Sequence, residues 1–118
     1  MLDTKTVMPQ KYIQLVQMVE KHLLVARVLK YDSSKCVVLA ANKDGIMNSV
    51  SFILRSPAGH YFVQRDRYKP DGSFIEHETI GVVYIPKESA INNFLDGPRT
   101  ANQRMSFEDA FGFEPEES

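Results

Sequence analysis

Arg55, Arg65, Arg67, Lys69 and His77, with Tyr61 among them, are the residues whose types and spacing suit them to bind a polyanion. Arginine and lysine neutralise phosphates, and an interleaved aromatic offers a face on which a base can stack. Together these hold single-stranded nucleic acid with little regard to sequence. Arg65 and Arg67 are two residues apart, so in a strand both guanidinium groups leave one face about 7 Å from each other, near the spacing of phosphates in an extended strand. A solvated sheet face whose arginine stems cover apolar surface carries the same pattern.

A second set is acidic. Asp66, Glu76 and Glu78 would gather on the other face, and carboxylates directly opposed across a strand pair repel unless a hard cation lies between them. Three acids without a histidine or an Asp-rich loop are a thin basis for a metal site, and no metal or cofactor is expected. The histidines His22, His60 and His77 make no ligand-spaced pair, and Glu76-His77-Glu78 alternates faces on a strand, so its acids cannot orient the histidine. The sequence has neither a phosphate-cradling glycine loop nor a paired-cysteine metal site. The expectation is a non-enzymatic protein.

A third set lies near the end. Phe107, Asp109, Phe111 and Phe113 sit in a stretch, 105–118, that holds five acids and no lysine or arginine, while residues 1–104 hold all 14 bases against 10 acids. Aromatic anchors among acids, beyond a polar stretch at 98–104, suit a linear motif that docks into a partner's groove. The competing arrangement is a last turn packed on the chain's own sheet. In either case the acids could screen the basic face.

These residues need a sheet to position them. Ser56-Pro57-Ala58-Gly59 and Lys69-Pro70-Asp71-Gly72 share the turn chemistry of a three-residue hairpin, and Asn42-Lys43-Asp44-Gly45 repeats it with lysine for proline. Pairing Ser56 with His60 sets Leu54 opposite Phe62, Ile53 opposite Val63, Ser51 opposite Arg65 and Ser49 opposite Arg67. Pairing Lys69 with Ser73 sets Asp66 opposite Glu76, Arg65 opposite His77 and Phe62 opposite Ile80. Pairing Asn42 with Ile46 sets Val38 opposite Val50 and Cys36 opposite Phe52. One face then collects Cys36, Val38, Ala40, Val50, Phe52, Leu54, Phe62 and Ile80 with the three acids. The other collects Val37, Leu39, Ile53, Tyr61 and Val63 with the arginines and His77, and a one-residue slip would exchange the faces.

The remainder of the chain supplies the cover. Pro9 to His22 carries Tyr12, Ile13, Leu15, Val16 and Val19 at helical spacing and predicts an amphipathic helix. Leu23–Tyr31 is rich in both helix and strand formers, and the turn residues Asp32-Ser33-Ser34 after it favour a fifth strand over a helix. Gly81 is a candidate bulge in the last strand, and Pro86 to Leu95 predicts a short helix stopped at Gly97-Pro98. Ser106, three residues before Asp109, is a helix N-cap.

The expected fold is therefore α+β: an N-terminal helix, an antiparallel meander of four or five strands, a short helix and an acidic tail. The expected boundaries are one domain over 1–97 and a linker and tail over 98–118. Both faces of the meander are apolar, so helices cover both, or the sheet curls or pairs as a homodimer. At 118 residues the chain can bury a core without staples. It has no apolar run long enough for a membrane and no basic-then-apolar leader. The lone Cys36 reads as a buried structural thiol in a reducing, cytoplasmic setting.

A small meander with a basic sheet and an acidic aromatic tail is a layout used by single-stranded DNA-binding proteins, an analogy of fold and charge alone. The leading expectation is a nucleic-acid-binding accessory protein that recruits a protein partner through its tail. The alternatives are an adaptor or inhibitor that acts through the tail and one sheet face, and a small enzyme or metal-binding protein.

Overall fold

The computed structural model describes residues 8–18, 27–44, 48–67, 78–97 and 103–112. Strands β1 (Ile13–Met18) and β2 (Arg27–Asp32) form an antiparallel hairpin, followed by one 3-10 turn at Ser33–Lys35. Strands β3 (Val37–Asp44), β4 (Ser49–Arg55), β5 (Tyr61–Arg67) and β6 (Glu78–Ile85) form the meander. Helix α1 (Lys87–Asp96), the two-residue strand β7 (Gln103–Arg104) and helix α2 (Phe107–Phe111) follow. The five-stranded sheet has the order β6-β5-β4-β3-β7.

The hairpin between β4 and β5 has the expected register, Leu54 opposite Phe62 and Ser49 opposite Arg67. Its turn explains why. Gly59 takes φ +90, Ser56 N donates to His60 O at 2.8 Å, and His60 N donates to Ser56 Oγ at 3.1 Å. Only glycine adopts that φ without strain, so the turn can sit at one place.

The two flanking registers differ from expectation. Asn42 and Lys43 pair with Ser51 and Val50 inside the β3–β4 ladder, so the reversal comes later and Asn48 takes the left-handed position at φ 52. Asparagine tolerates that conformation. Val38 therefore lies opposite Leu54, and Ala41 opposite Phe52. A bulge between Val38 and Ala40 turns Leu39 and Ala40 toward one core cluster, which moves Ala40 off the face on which alternation puts it.

Between β5 and β6, Phe62 lies opposite Tyr84, Arg65 opposite Gly81, Asp66 opposite Thr79 and Arg67 opposite Glu78. A break in register between Arg65 and Asp66 makes Ile80 the extra residue, one position before the glycine expected to bulge. The Asp66–Glu76 opposition is thus absent. Its physical reason is that Asp66 is fully buried and takes a hydrogen bond from Thr79 Oγ1 at 2.8 Å, where a second carboxylate would leave two charges unpaired.

The expected N-terminal helix is also replaced, over Ile13–Met18, by β1. Val16 and Met18 are buried while Ile13 and Leu15 are exposed, a two-residue period that the helical reading of the same valines and leucines hid. β2 is a strand within the stretch expected to give a fifth one, but it pairs with β1 in a separate two-stranded sheet and not with the meander, with Val16 opposite Leu29. Val16, Tyr31 and Phe62 pack together with Tyr12, Leu29, Val82 and Tyr84, so this hairpin covers one face of the sheet. Beside them Val50, Phe52 and Leu54 are buried with Ala41, against Cys36 and Val38.

The helices cover part of the other face. Ala90 and Phe94 of α1 and Ala110 and Phe111 of α2 bury Leu39, Ala40, Ile53 and Tyr61. Ser106 caps α2 as expected, its hydroxyl accepting from Asp109 N at 3.2 Å, and Gly112 ends the helix in the left-handed conformation. The expected boundary after residue 97 is not kept, because β7 pairs with β3 and α2 belongs to the core.

Arg104, read as linker, closes the structure. It donates to the Phe94 carbonyl near the end of α1 and to Asn42 Oδ1 at 3.1 Å, and its guanidinium lies 4.6 Å from the centre of the Phe94 ring. Gly97 makes room for it, since a Cβ there would meet Arg104 at 2.4 Å and Asn42 at 2.7 Å.

If α2 is part of the core, Phe111→Ala removes an aromatic that is 4 % exposed. Chemical denaturation should show a loss of about 3–5 kcal/mol in one cooperative transition. A detached tail would leave the midpoint unchanged.

Candidate polyanion-binding face

The face of the sheet that carries the helices is graded along β5. Arg55, Tyr61 and Ile85 form one cross-strand row, and Ala40, Ile53, Val63 and Val83 form the next. Then come Asn42, Ser51, Arg65 and Gly81, and after them Ser49, Arg67 and Glu78. The helices cover Tyr61, Ile53 and Ala40 in the first two rows and leave Val83, Arg65 and Arg67 exposed.

That gradient divides the predicted basic set. Arg55 donates to the Ala110 carbonyl in the last turn of α2, so its charge complements a helix C-terminus. Tyr61 is 7 % exposed, and its ring centre lies 5.7 Å from that of Phe111. It cannot stack on a base without leaving the core. Arg65 and Arg67 remain exposed, and among the described residues their side chains make no ion pair or hydrogen bond. Lys69 and His77 lie outside the described residues.

The two exposed arginines flank a shallow groove of about 520 Å³ lined by Val63, Arg65, Arg67, Ile80, Gly81 and Val83. Ile80 is 46 % exposed and Val83 58 %. Gly81, opposite Arg65, keeps the floor low, for nothing lies within 4 Å of where its Cβ would be. The bulge therefore brings Ile80 to the arginine face, not to the face on which alternation had placed it. It also puts Glu78 there, across from Arg67. The groove offers two guanidinium groups and an aliphatic floor, which suits an extended ligand that alternates negative charge with apolar surface.

The acidic set does not converge. Asp66 is buried on the hairpin side, accepting from Gln10 N at 2.9 Å, Gln64 Nε2 at 3.0 Å and Thr79 Oγ1 at 2.8 Å. Glu78 is on the arginine side, and Glu76 lies outside the described residues. No group of three or more His, Cys, Asp or Glu able to hold a metal occurs among the described residues.

The tail residues are likewise divided. Phe111 is buried against its own sheet, and Phe107 is half-buried, its ring centre 5.1 Å from that of Phe111 and 6.2 Å from that of Phe94. Asp109 is exposed, and Phe113 lies outside the described residues. A partner could engage Phe111 only by displacing it from the core.

Sequence reasoning missed a second concavity, a cleft of about 740 Å³ at the end of the sheet, lined by Gly59, His60, Tyr61, Tyr84 and the first turn of α1. The rings of His60 and Tyr84 meet edge to face at 6.1 Å. The signal available was the proximity of His60 to the turn glycine, which fixes the end of the sheet but not what lies across from it.

A scan against protein-family models and searches of curated proteins and of solved structures give no match. No helix among the described residues is long and apolar enough to cross a membrane.

Cys36 lies one residue before β3, not within a strand. Its thiol is half-buried and donates to the Asp32 carbonyl at 3.3 Å. Burial, helped by the Asp32 carboxylate, pushes its pKa up to about 11. Alkylation by iodoacetamide near pH 8, followed by mass spectrometry, should run about 100-fold slower than for a free thiol. The rate should climb with pH toward about 11, where the thiolate forms. Alkylation as fast as a free thiol would show that Cys36 is not held as described.

Proposed function

We propose that this chain is a non-enzymatic binding protein whose ligand is an extended polyanion, with single-stranded nucleic acid the best fit. The observation that carries the reading is the pair Arg65 and Arg67, exposed on one face with no side-chain partner among the described residues, over a groove with an aliphatic floor. Successive phosphates of an extended strand match the two-residue spacing of the arginines. Ser49 and Ser51, opposite Arg67 and Arg65, continue the polar rows and supply neutral donors. Lys69, two residues beyond Arg67 in sequence, would extend the basic track, with His77 a further candidate contact. The lone thiol suits a reducing compartment, which supports a cytoplasmic setting.

A second reading has a specific observation in its favour. With Tyr61 in the core, the groove is floored by Val63, Ile80 and Val83, and no aromatic among the described residues lines it. An acidic polypeptide partner with apolar side chains between its carboxylates fits such a floor, as the adaptor reading requires.

Fluorescence anisotropy of a labelled single-stranded oligonucleotide, titrated at several salt concentrations, decides between them. Nucleic-acid binding predicts affinity that falls steeply with salt, and Arg65→Ala with Arg67→Ala should flatten the log–log slope by roughly 1.4. Absence of binding at low salt would refute the nucleic-acid reading.

A further inference from the structure

Resting on that reading of the Arg65–Arg67 groove, we infer that the groove has an occupant within the same chain. Residues 113–118, Phe-Glu-Pro-Glu-Glu-Ser, dock there and compete with the external ligand.

The first ground is position. Phe111 is buried beside Tyr61, on the same face of β5 as the groove, and Gly112 turns the chain out of α2 at that point. Tyr61 to Arg65 spans four residues of one strand, about 13 Å. Six residues beyond Gly112 extend up to roughly 20 Å, which is enough to lay acids beside Arg65 and to bring the last of them toward Arg67.

Chemistry is the second ground. Glu114, Glu116 and Glu117 carry the charge opposite to Arg65 and Arg67, and Phe113 supplies an apolar ring for a floor on which Val83 and Ile80 stand exposed. Pro115 disfavours the helical conformation at Glu114 and so favours the extended run that a groove along strands accepts. Arg65 is the stronger anchor, because on β6 the acid Glu78 lies across from Arg67 while Gly81 lies across from Arg65.

Tethering is the third. A segment joined by one residue to a buried helix samples its own groove at a millimolar effective concentration, so a contact too weak to detect between separate molecules is populated within one. An incoming polyanion must displace it, and the acids that leave the groove then repel that ligand or turn to a partner.

The test reads docking and ligand binding separately. In a Cys36→Ala chain, a nitroxide attached through Ser118→Cys broadens the methyl resonances it approaches. Broadening of Val63, Ile80 and Val83, with Leu15 and Val28 on the outer face of the β1–β2 hairpin unaffected, is the expected result. Glu114→Gln with Glu116→Gln and Glu117→Gln should abolish it, as should raising the salt. Equal broadening of the methyls of all five residues, or broadening that survives the glutamines, would overturn the inference.

Anisotropy with the labelled oligonucleotide supplies the second readout. The triple glutamine variant should bind about tenfold more tightly than the unaltered chain. Groove broadening without oligonucleotide binding by either form upholds docking and removes only the nucleic-acid reading. Equal oligonucleotide binding by both forms, without groove broadening, removes docking and leaves that reading standing.

Discussion

The structure depends on satisfying one fully buried carboxylate. Asp66 and Gln64 are both inaccessible to solvent, in the second half of a strand whose other residue on that face, Phe62, is apolar. A charge taken out of water costs several kcal/mol unless hydrogen bonds replace its hydration. Here the Gln10 amide, the Gln64 side chain and the Thr79 hydroxyl do so, and Gln64 in turn accepts from Tyr31 Oη at 2.6 Å. Burial also pushes the Tyr31 phenol upward, keeping it a neutral donor. Four separate parts of the chain meet in this network: the segment before β1, the hairpin, β5 and β6.

Much of the remaining geometry follows. Because Thr79 must reach Asp66, β6 is pinned two residues before Gly81, and the register break that results exposes Ile80 on the opposite side. The groove between the arginines is thus a by-product of how the other face is tied together. The hairpin is held over that face by both Tyr31 and Gln10, so it cannot slide without leaving polar groups unpaired. On the helical side the cover is shorter, and it runs out where the rows turn from Tyr61 and Val63 to Arg65 and Arg67.

How much of this could be read from residues alone varies with how local the determinants are. The β4–β5 register was legible because Pro57 and Gly59 allow one turn, and it carried with it the pairing of Arg65 and Arg67 on one face. The neighbouring registers were not, since the interactions that decide them lie away from the turn residues: Thr79 with Asp66, and the bulge that sends Leu39 and Ala40 under the helices. Tyr12 and Val16 fit a helical period and a strand period alike, and only the pairing of Val16 with Leu29 separates them. That Arg55 and Tyr61 would be covered depends on where α2 lands, and nothing near either residue announces it. Arg104 and Gly97, in a stretch as polar as any linker, owe their role to a contact with Asn42.

The late position of β7 and α2 also has a bearing on how the chain folds. Arg104 pairs with Ala40 across 64 residues, and Arg55 reaches Ala110 across 55, so these are among its least local contacts. Loop closure over such distances is slow compared with forming the β4–β5 hairpin. On a ribosome the meander and α1 emerge while Leu39, Ile53 and Tyr61 still lack the part of their cover that α2 supplies. Until residues 103–112 follow, the nascent sheet presents a sticky face, and the last few residues translated in this stretch decide whether it is sealed within the molecule or by a neighbour.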